Sequence, residues 1–268
     1  MAEVMEGPWE EAELLQKKVG RRILGCSVRL PDAVVYGDLG WATLMGRRIA
    51  LRLLFWGKLV SMSRDRLARK VYEAGRQRLQ TDLRPQAPEK SWCTTTRNLM
   101  RQVGLEESWH RNQVDPGWRE EVWQAVREWE TARWRSSMSG SSRLEKYVVV
   151  KQKQGWEHYL GDRDQGKRRL WSKLRGGCLE ISVETGRWVS VSVAGKQSRL
   201  PRYLRVCQLC QQEQECEEHL LFRCAAFQRE RRIFLEVYTG YAAMGGNEQT
   251  RAAGEVAELI LRGEAVTS

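Results

Sequence analysis

No apolar run reaches the roughly 18 residues a membrane helix needs, so no membrane span is expected. The opening segment, Met1 to Glu13, is acidic and carries no secretory signal pattern. The chain has no Gly-rich phosphate loop and no GxSxG elbow. No aspartate follows Asp164, and the one close pair, Asp162 and Asp164, sits in a Gly-flanked polar turn where adjacent surface acids are ordinary. Histidine is scarce, with 3 in the chain. His110 and His158 fall in helical, Trp-containing stretches and are expected as surface or half-buried side chains. These absences leave nothing on which to build an independent enzyme.

What is abundant is positive charge and tryptophan. The 268 residues carry 45 Lys+Arg against 34 Asp+Glu, a formal net charge of +11. That excess favours a polyanionic partner, most simply RNA or DNA. The 12 tryptophans can stack on unpaired bases, but most recur at helical spacing and are expected in the core.

Of the 7 cysteines, Cys207, Cys210, Cys216 and Cys224 crowd into a charged, Gln-rich stretch that no apolar core would use. Cys207-x2-Cys210-x8-His219-x4-Cys224 has the ligand types and spacing of a tetrahedral zinc site. With all four positions filled by protein, no open position remains for water or substrate, and the expected site is structural. Cys216 lies inside the same segment and is an alternative to Cys210 or His219, though the first four are better spaced. A helix beginning at His219 is expected to present His219 and Cys224 to one ion, with Leu220, Leu221 and Phe222 covering it. Cys26, Cys93 and Cys178 are expected to be small buried residues. This cysteine usage suits a reducing compartment, nuclear or cytoplasmic.

The remaining pattern is mainly α. Helices are expected over 8–25, stopped by Gly25; from Thr43 to Met62, with Leu44, Leu51, Leu54, Phe55, Leu59 and Met62 on one face; over 64–79, with Leu67 and Val71 inward; and over 92–103, ended by Gly104. Asp32 is placed to cap a short helix through Val34 and Val35. A further helix opens at Asp115-Pro-Gly-Trp118, with Trp118, Val122, Val126 and Trp129 as its buried stripe. Residues 81–90, with Pro85 and Pro88, read as a linker. Residues 144–159 read as helical. Leu179, Ile181 and Val183 alternate, Gly186 turns the chain, and Trp188, Val189, Val191 and Val193 return, a hairpin signal. A basic helix is expected after Cys224 as far as Tyr238, and another over 251–262. The Ser/Gly-rich break at 136–142 separates a basic helical region, 8–135, from a region 143–240 carrying helix, hairpin and knuckle; 241–268 is a loose tail. Arg47, Arg48, Arg52, Lys58, Arg66, Arg69 and Lys70 on the early helices, with Arg202, Arg205 and Arg223 around the knuckle, are the candidate phosphate contacts.

Three stretches resemble the region that follows the polymerase in reverse transcriptases of non-LTR (LINE-type) retrotransposons. The first joins Val19-Gly-Arg-Arg-Ile-Leu-Gly25, Tyr36-Gly-Asp-Leu-Gly-Trp41 and Leu54-Phe-Trp-Gly-Lys-Leu59. The second is Leu174-Arg-Gly-Gly-Cys-Leu-Glu180 with Glu184-Thr-Gly-Arg-Trp188. The third runs from Arg205-Val-Cys207 through Glu218-His-Leu-Leu-Phe to Cys224. Cys207, Cys210, His219 and Cys224 match the family's Cys-Cys-His-Cys ligands. The resemblance implies a zinc-bearing tail that holds RNA or target DNA for a polymerase encoded upstream in the same polyprotein. The paired aspartates of a polymerase palm are absent here, and no endonuclease-type acidic set follows the knuckle. The expectation is therefore a nucleic-acid-binding tail that does not polymerise. The rivals are a zinc-stapled protein-interaction module and a decayed element fragment without function.

Overall fold

The computed structural model describes residues 9–26, 29–81, 91–193, 196–217 and 219–229. Of the linker expected at 81–90, Thr81 still belongs to a helix and 82–90 lie outside the described residues; so do the helix expected after Cys224, beyond its first turn at Ala225–Phe227 and residue 229, the helix expected over 251–262 and the tail at 241–268. The described chain is mainly helical, with one small two-stranded antiparallel sheet, as the sequence pattern implied. In chain order the helices are α1 (Glu10–Ile23), α2 (Asp32–Leu39), α3 (Leu44–Ser61), α4 (Leu67–Thr81), α5 (Trp92–Gln102), α6 (Trp118–Met138), α7 (Glu145–Val150), α8 (Gln165–Arg175) and the single turn α9 (Ser182–Thr185). Strands β1 (Ser190–Val193) and β2 (Lys196–Arg199) follow. Two compact units result: Met1–Lys17 with Gly40–Ser139, and Lys18–Leu39 with Gly140–Ser268. Their boundary at Ser139 falls in the Ser/Gly-rich break, and Lys18–Leu39 groups with the later unit.

In the first unit α3 packs against α4, α5 and α6. Thr43 caps α3, its hydroxyl accepting from the Gly46 N–H at 2.9 Å. Glu130 of α6 takes the Thr43 N–H at 2.7 Å and the Thr43 hydroxyl at 2.6 Å, so both orphan groups are satisfied. The stripe Trp118, Val122 and Val126 is buried, as its spacing predicts. On α3 the buried face is rotated from the expected one: Ile49, Leu53, Trp56 and Val60 join Leu59 inside, while Leu44, Leu51, Leu54 and Phe55 are only half-buried. Trp56 decides this rotation. Its ring stacks on Trp109 at 6.2 Å and lies 5.2 Å from Trp118, and its indole N–H donates to the Tyr72 hydroxyl at 2.9 Å. Tyr72 likewise sets the facing of α4. It turns inward with Arg69, leaving Leu67 and Val71, which the sequence pattern placed inside, exposed to solvent.

The second unit centres on an acid that the sequence reading passed over. Asp38 is 0% exposed. Its carboxylate accepts from the hydroxyls of Tyr147 at 2.8 Å and Tyr159 at 2.7 Å, and takes a bidentate pair from Arg175 at 3.0 and 3.1 Å. Glu157 extends the network to Arg175 at 3.2 Å and to Lys151. Burial and the adjacent Asp38 charge hold both tyrosines far above their ordinary pKa, so both stay protonated and donate to the carboxylate. Burial opposes the charge on Arg175, but Asp38 outweighs it and the net shift is upward.

Residues 144–159, expected as one helix, are α-helical only through α7, and a 3-10 turn, His158–Gly161, closes the segment. Beyond it, the N–H groups of Gly155 and Glu157 bond to the Gly37 and Asp38 carbonyls at 3.0 and 2.9 Å. Those carbonyls lie in the last turn of α2 and lack helical partners, so the later segment runs extended to meet them. The hairpin exists but is displaced along the chain. β1 pairs with β2, with Ser190 opposite Arg199 and Val193 opposite Lys196. Leu179, Ile181 and Val183, expected in its first arm, are buried beside the cysteine cluster instead.

Candidate metal centre

Two short structures bring the cluster together. Arg205 to Glu215 forms a narrow ladder: the Glu215 N–H donates to the Arg205 carbonyl at 3.0 Å, and the Cys207 N–H to the Glu213 carbonyl at 2.8 Å. The Cys207-x2-Cys210 turn closes its end, where the Gln211 N–H bonds back to the Cys207 carbonyl at 2.8 Å. Gln211 completes the turn at φ 57°, a left-handed conformation that side chains other than Gly, Asn and Asp seldom adopt. The second structure is His219–Arg223, which is a π turn and not the α-helix expected. The Cys224 N–H reaches the His219 carbonyl at 2.6 Å. A spacing of five residues would point about 140° apart on an α-helix at 3.6 residues per turn. The wider turn brings His219 and Cys224 to the same side.

The ligand atoms of Cys207, Cys210, His219 and Cys224 all lie within 4.8 Å of one another, a Cys3His group that could hold a metal ion. The Sγ atoms of Cys207 and Cys224 are 3.8 Å apart, and Cys210 Sγ is 3.2 Å from His219 Nε2. His219 is 1% exposed, and Leu179, Ile181, Val183 and Leu220 pack around the cysteines. The side chains of Leu221 and Phe222, expected as cover, lie outside the described residues. Cys216 stands apart from the four: its sulfur accepts from the His219 backbone N–H at 3.4 Å.

The surroundings act on the cysteines unequally. N–H groups of Gln212 and Glu213, aimed at Cys210, pull its thiol down to about 6. Burial pushes Cys224 up to about 11, against the opposing N–H of Ala226. Glu213 is the functional residue that motif reading missed. Its carboxylate sits 3.3 Å from His219 Nδ1 and also accepts from Arg223 Nε at 2.9 Å. With Nε2 facing the cysteines and Nδ1 facing a carboxylate, the ring is oriented as metal-bound histidines are. Its only sequence signal is an acid between the Cys pair and the His.

The candidate phosphate contacts are scattered. Arg47, Lys58, Arg66, Lys70 and Arg202 are exposed, and Arg48 is half-buried. Arg52 and Arg69, expected on that outward face, lie inside. Arg52 stacks on Trp92 at 5.2 Å and donates to the Thr96 hydroxyl at 3.0 Å. Arg69 pairs with Glu73 and donates to the Leu59 carbonyl at 3.0 Å. Arg205 is occupied by the carbonyls of Leu200 and Val183, and Arg223 pairs with Glu213. Tertiary packing thus takes arginines that helical spacing alone assigns to solvent. Among the described residues, no helix is long and apolar enough to cross a membrane.

Compared with known proteins, the chain matches no family model, no curated protein and no solved structure.

Proposed function

We propose that the chain binds nucleic acid as the tail of a non-LTR retroelement reverse transcriptase, without a polymerase centre of its own. In this reading Cys207, Cys210, His219 and Cys224 hold a structural zinc ion. The observation that carries it is the convergence of those four ligand atoms, with Glu213 behind His219. A tetrahedral zinc ion with bonds to sulfur of about 2.3 Å places its sulfurs about 3.8 Å apart, matching the 3.8 Å between Cys207 and Cys224. Zinc would supply no reaction here; it would lock the 207–224 loop, holding exposed Gln208 and Leu209 in one place. The +11 net charge supports a polyanionic partner, and exposed Lys58, Arg66, Lys70 and Arg202 supply phosphate contacts. The polymerase itself would lie in another part of the polyprotein, and the compartment would be nuclear or cytoplasmic.

The test is zinc content of the purified protein, with binding of single-stranded RNA and DNA at two salt concentrations, before and after Cys207→Ser with Cys210→Ser. One zinc per chain, and binding that weakens with salt and falls in the variant, is expected. Absence of zinc overturns the knuckle, and zinc without binding overturns the nucleic-acid role. The latter result would favour a protein-interaction module, for which the exposed apolar row Leu15, Val19 and Ile23 on α1 speaks.

A further inference from the structure

Within the second unit, two helix ends frame a cavity that the metal cluster does not use. Helix α1 ends before Gly25, with φ +67°, and α8 before Gly177, with φ +57°. At both ends the next N–H closes the helix in the same way: Cys26 to the Arg21 carbonyl and Cys178 to the Lys173 carbonyl, each at 2.8 Å. Cys26 and Cys178, expected to be buried, are instead half-exposed and line one cavity of about 310 Å³. Burial pushes Cys26 up to about 11 and Cys178 upward, so both are neutral thiols and poor nucleophiles. The walls therefore owe their charge to other groups.

Four cations, Arg29, Arg143, Arg169 and Lys173, face two acids, Glu180 and Glu184. Both acids have partners: Glu180 pairs with Lys173 at 2.8 Å and Glu184 with Arg187 at 2.9 Å. Arg143 donates to neutral groups, the Gly177 carbonyl at 2.9 Å and the Arg29 carbonyl and Cys178 sulfur at 2.7 Å, and its one acidic neighbour here, Glu184, is a longer 3.9 Å away. The Arg169 side chain is exposed and makes no hydrogen bond or ion pair among the described residues, while its carbonyl accepts from the Cys26 thiol at 3.9 Å. Glu180 registers the resulting field: Lys173, Arg169 and Arg29 hold its carboxyl below the ordinary range. At the rim stands Trp188, 65% exposed, on the turn leading into β1. The volume is at the low end of ligand sites, about 300–1,000 Å³, which suits one nucleotide and not a duplex. A recessed cationic pocket beside an exposed indole is usable only by a base that is unpaired and free to splay outward.

We infer that this cavity is a subsite for one nucleotide of a single-stranded nucleic acid, its phosphate held by Arg143 and Arg169 and its base laid on Trp188. The inference rests on the nucleic-acid-binding reading and adds where a strand lies and why it must be single. Fluorescence anisotropy of the full chain with labelled oligo(U), oligo(dT) and a duplex of equal length tests it, on wild type, Trp188→Ala and Arg169→Glu. Circular dichroism and zinc content serve as controls for folding. Trp188→Ala is expected to weaken single-strand binding by about 5- to 100-fold, leaving duplex binding unchanged. Arg169→Glu is expected to lower affinity and the salt slope of single-strand binding by about one unit or more. Crosslinking of 5-iodouracil oligonucleotide should map to Trp188. If wild type binds and both variants bind equally well, the subsite is overturned and the broader reading stands. If wild type binds no strand, both fall. If uridine monophosphate alone displaces the strand completely, the pocket serves a free nucleotide and the strand assignment is overturned.

Discussion

Glu213 and Asp38 show how much a single carboxylate can set. The Glu213 carboxylate faces His219 Nδ1 and so fixes the ring. Replacing it by Gln keeps the size and removes the charge. Glu213→Gln is expected to loosen metal binding by about 10- to 100-fold, read by competition with a chromogenic chelator; unchanged affinity would remove Glu213 from the site. Asp38 holds two tyrosines and Arg175 in a site without solvent. Asp38→Ala leaves the Arg175 charge buried without its carboxylate and is expected to cost about 3–5 kcal/mol, seen as a lower urea midpoint. Tyr159→Phe removes one donor and should cost about 1 kcal/mol. A nearly equal loss from the two would mean that the network is not organised around Asp38.

At the scale of elements, close approach governs what the helices can tolerate. A Cβ on Gly57 of α3 would meet the Trp118 ring, whose N–H donates to the Leu53 carbonyl at 3.1 Å. Gly57→Ala is expected to lower stability by about 1–3 kcal/mol in thermal unfolding, despite the better helix propensity of alanine. The cap of α3 carries a pH signature. Burial raises the Glu130 pKa above its ordinary value, although the Thr43 bonds oppose the shift. The folded state then binds this proton more tightly than the unfolded chain, so stability falls as pH rises from about 4.5 through the raised value. Glu130→Gln should flatten that dependence, measured by denaturant midpoints at several pH values; an unchanged profile would assign it to other groups. In the knuckle, Gln211 adopts a left-handed turn. Gln211→Gly should keep the metal, while Gln211→Val should lose affinity, because a β-branched residue resists that conformation.

For the whole molecule, the two units contrast in what organises them. The first is built on an aromatic core of Trp56, Tyr72, Trp109 and Trp118, with no metal-type group among its described residues. The 207–224 segment of the second is gathered around three cysteines and a histidine, and thiolates so close repel one another unless a cation joins them. Removing metal with a chelator should abolish hydrogen-exchange protection at Cys207, Gln211 and Cys224 while leaving α3 and α6 protected. Loss of protection throughout would show that the metal organises far more than its own loop.

The sequence alone pointed to the candidate metal group, because metal chemistry demands particular atoms at short spacing, and Cys207, Cys210, His219 and Cys224 have it; Cys216 stayed an alternative until the structure set it apart. It also determined the helical character and the start of α3 near Thr43, since these depend on neighbours within one turn. It carried too little to orient α3 and α4, where one large ring, Trp56, overrode the apolar count. Nor could it place the hairpin, because Leu179, Ile181 and Val183 alternate whether they pair in a strand or pack against a cysteine cluster. Only the tertiary structure paired Asp38 with Arg175, buried Arg52 and Arg69, and set Glu213 behind His219. Each of these depends on contacts between groups distant in the chain or on which face of a helix the core claims. Local pattern does not encode that choice.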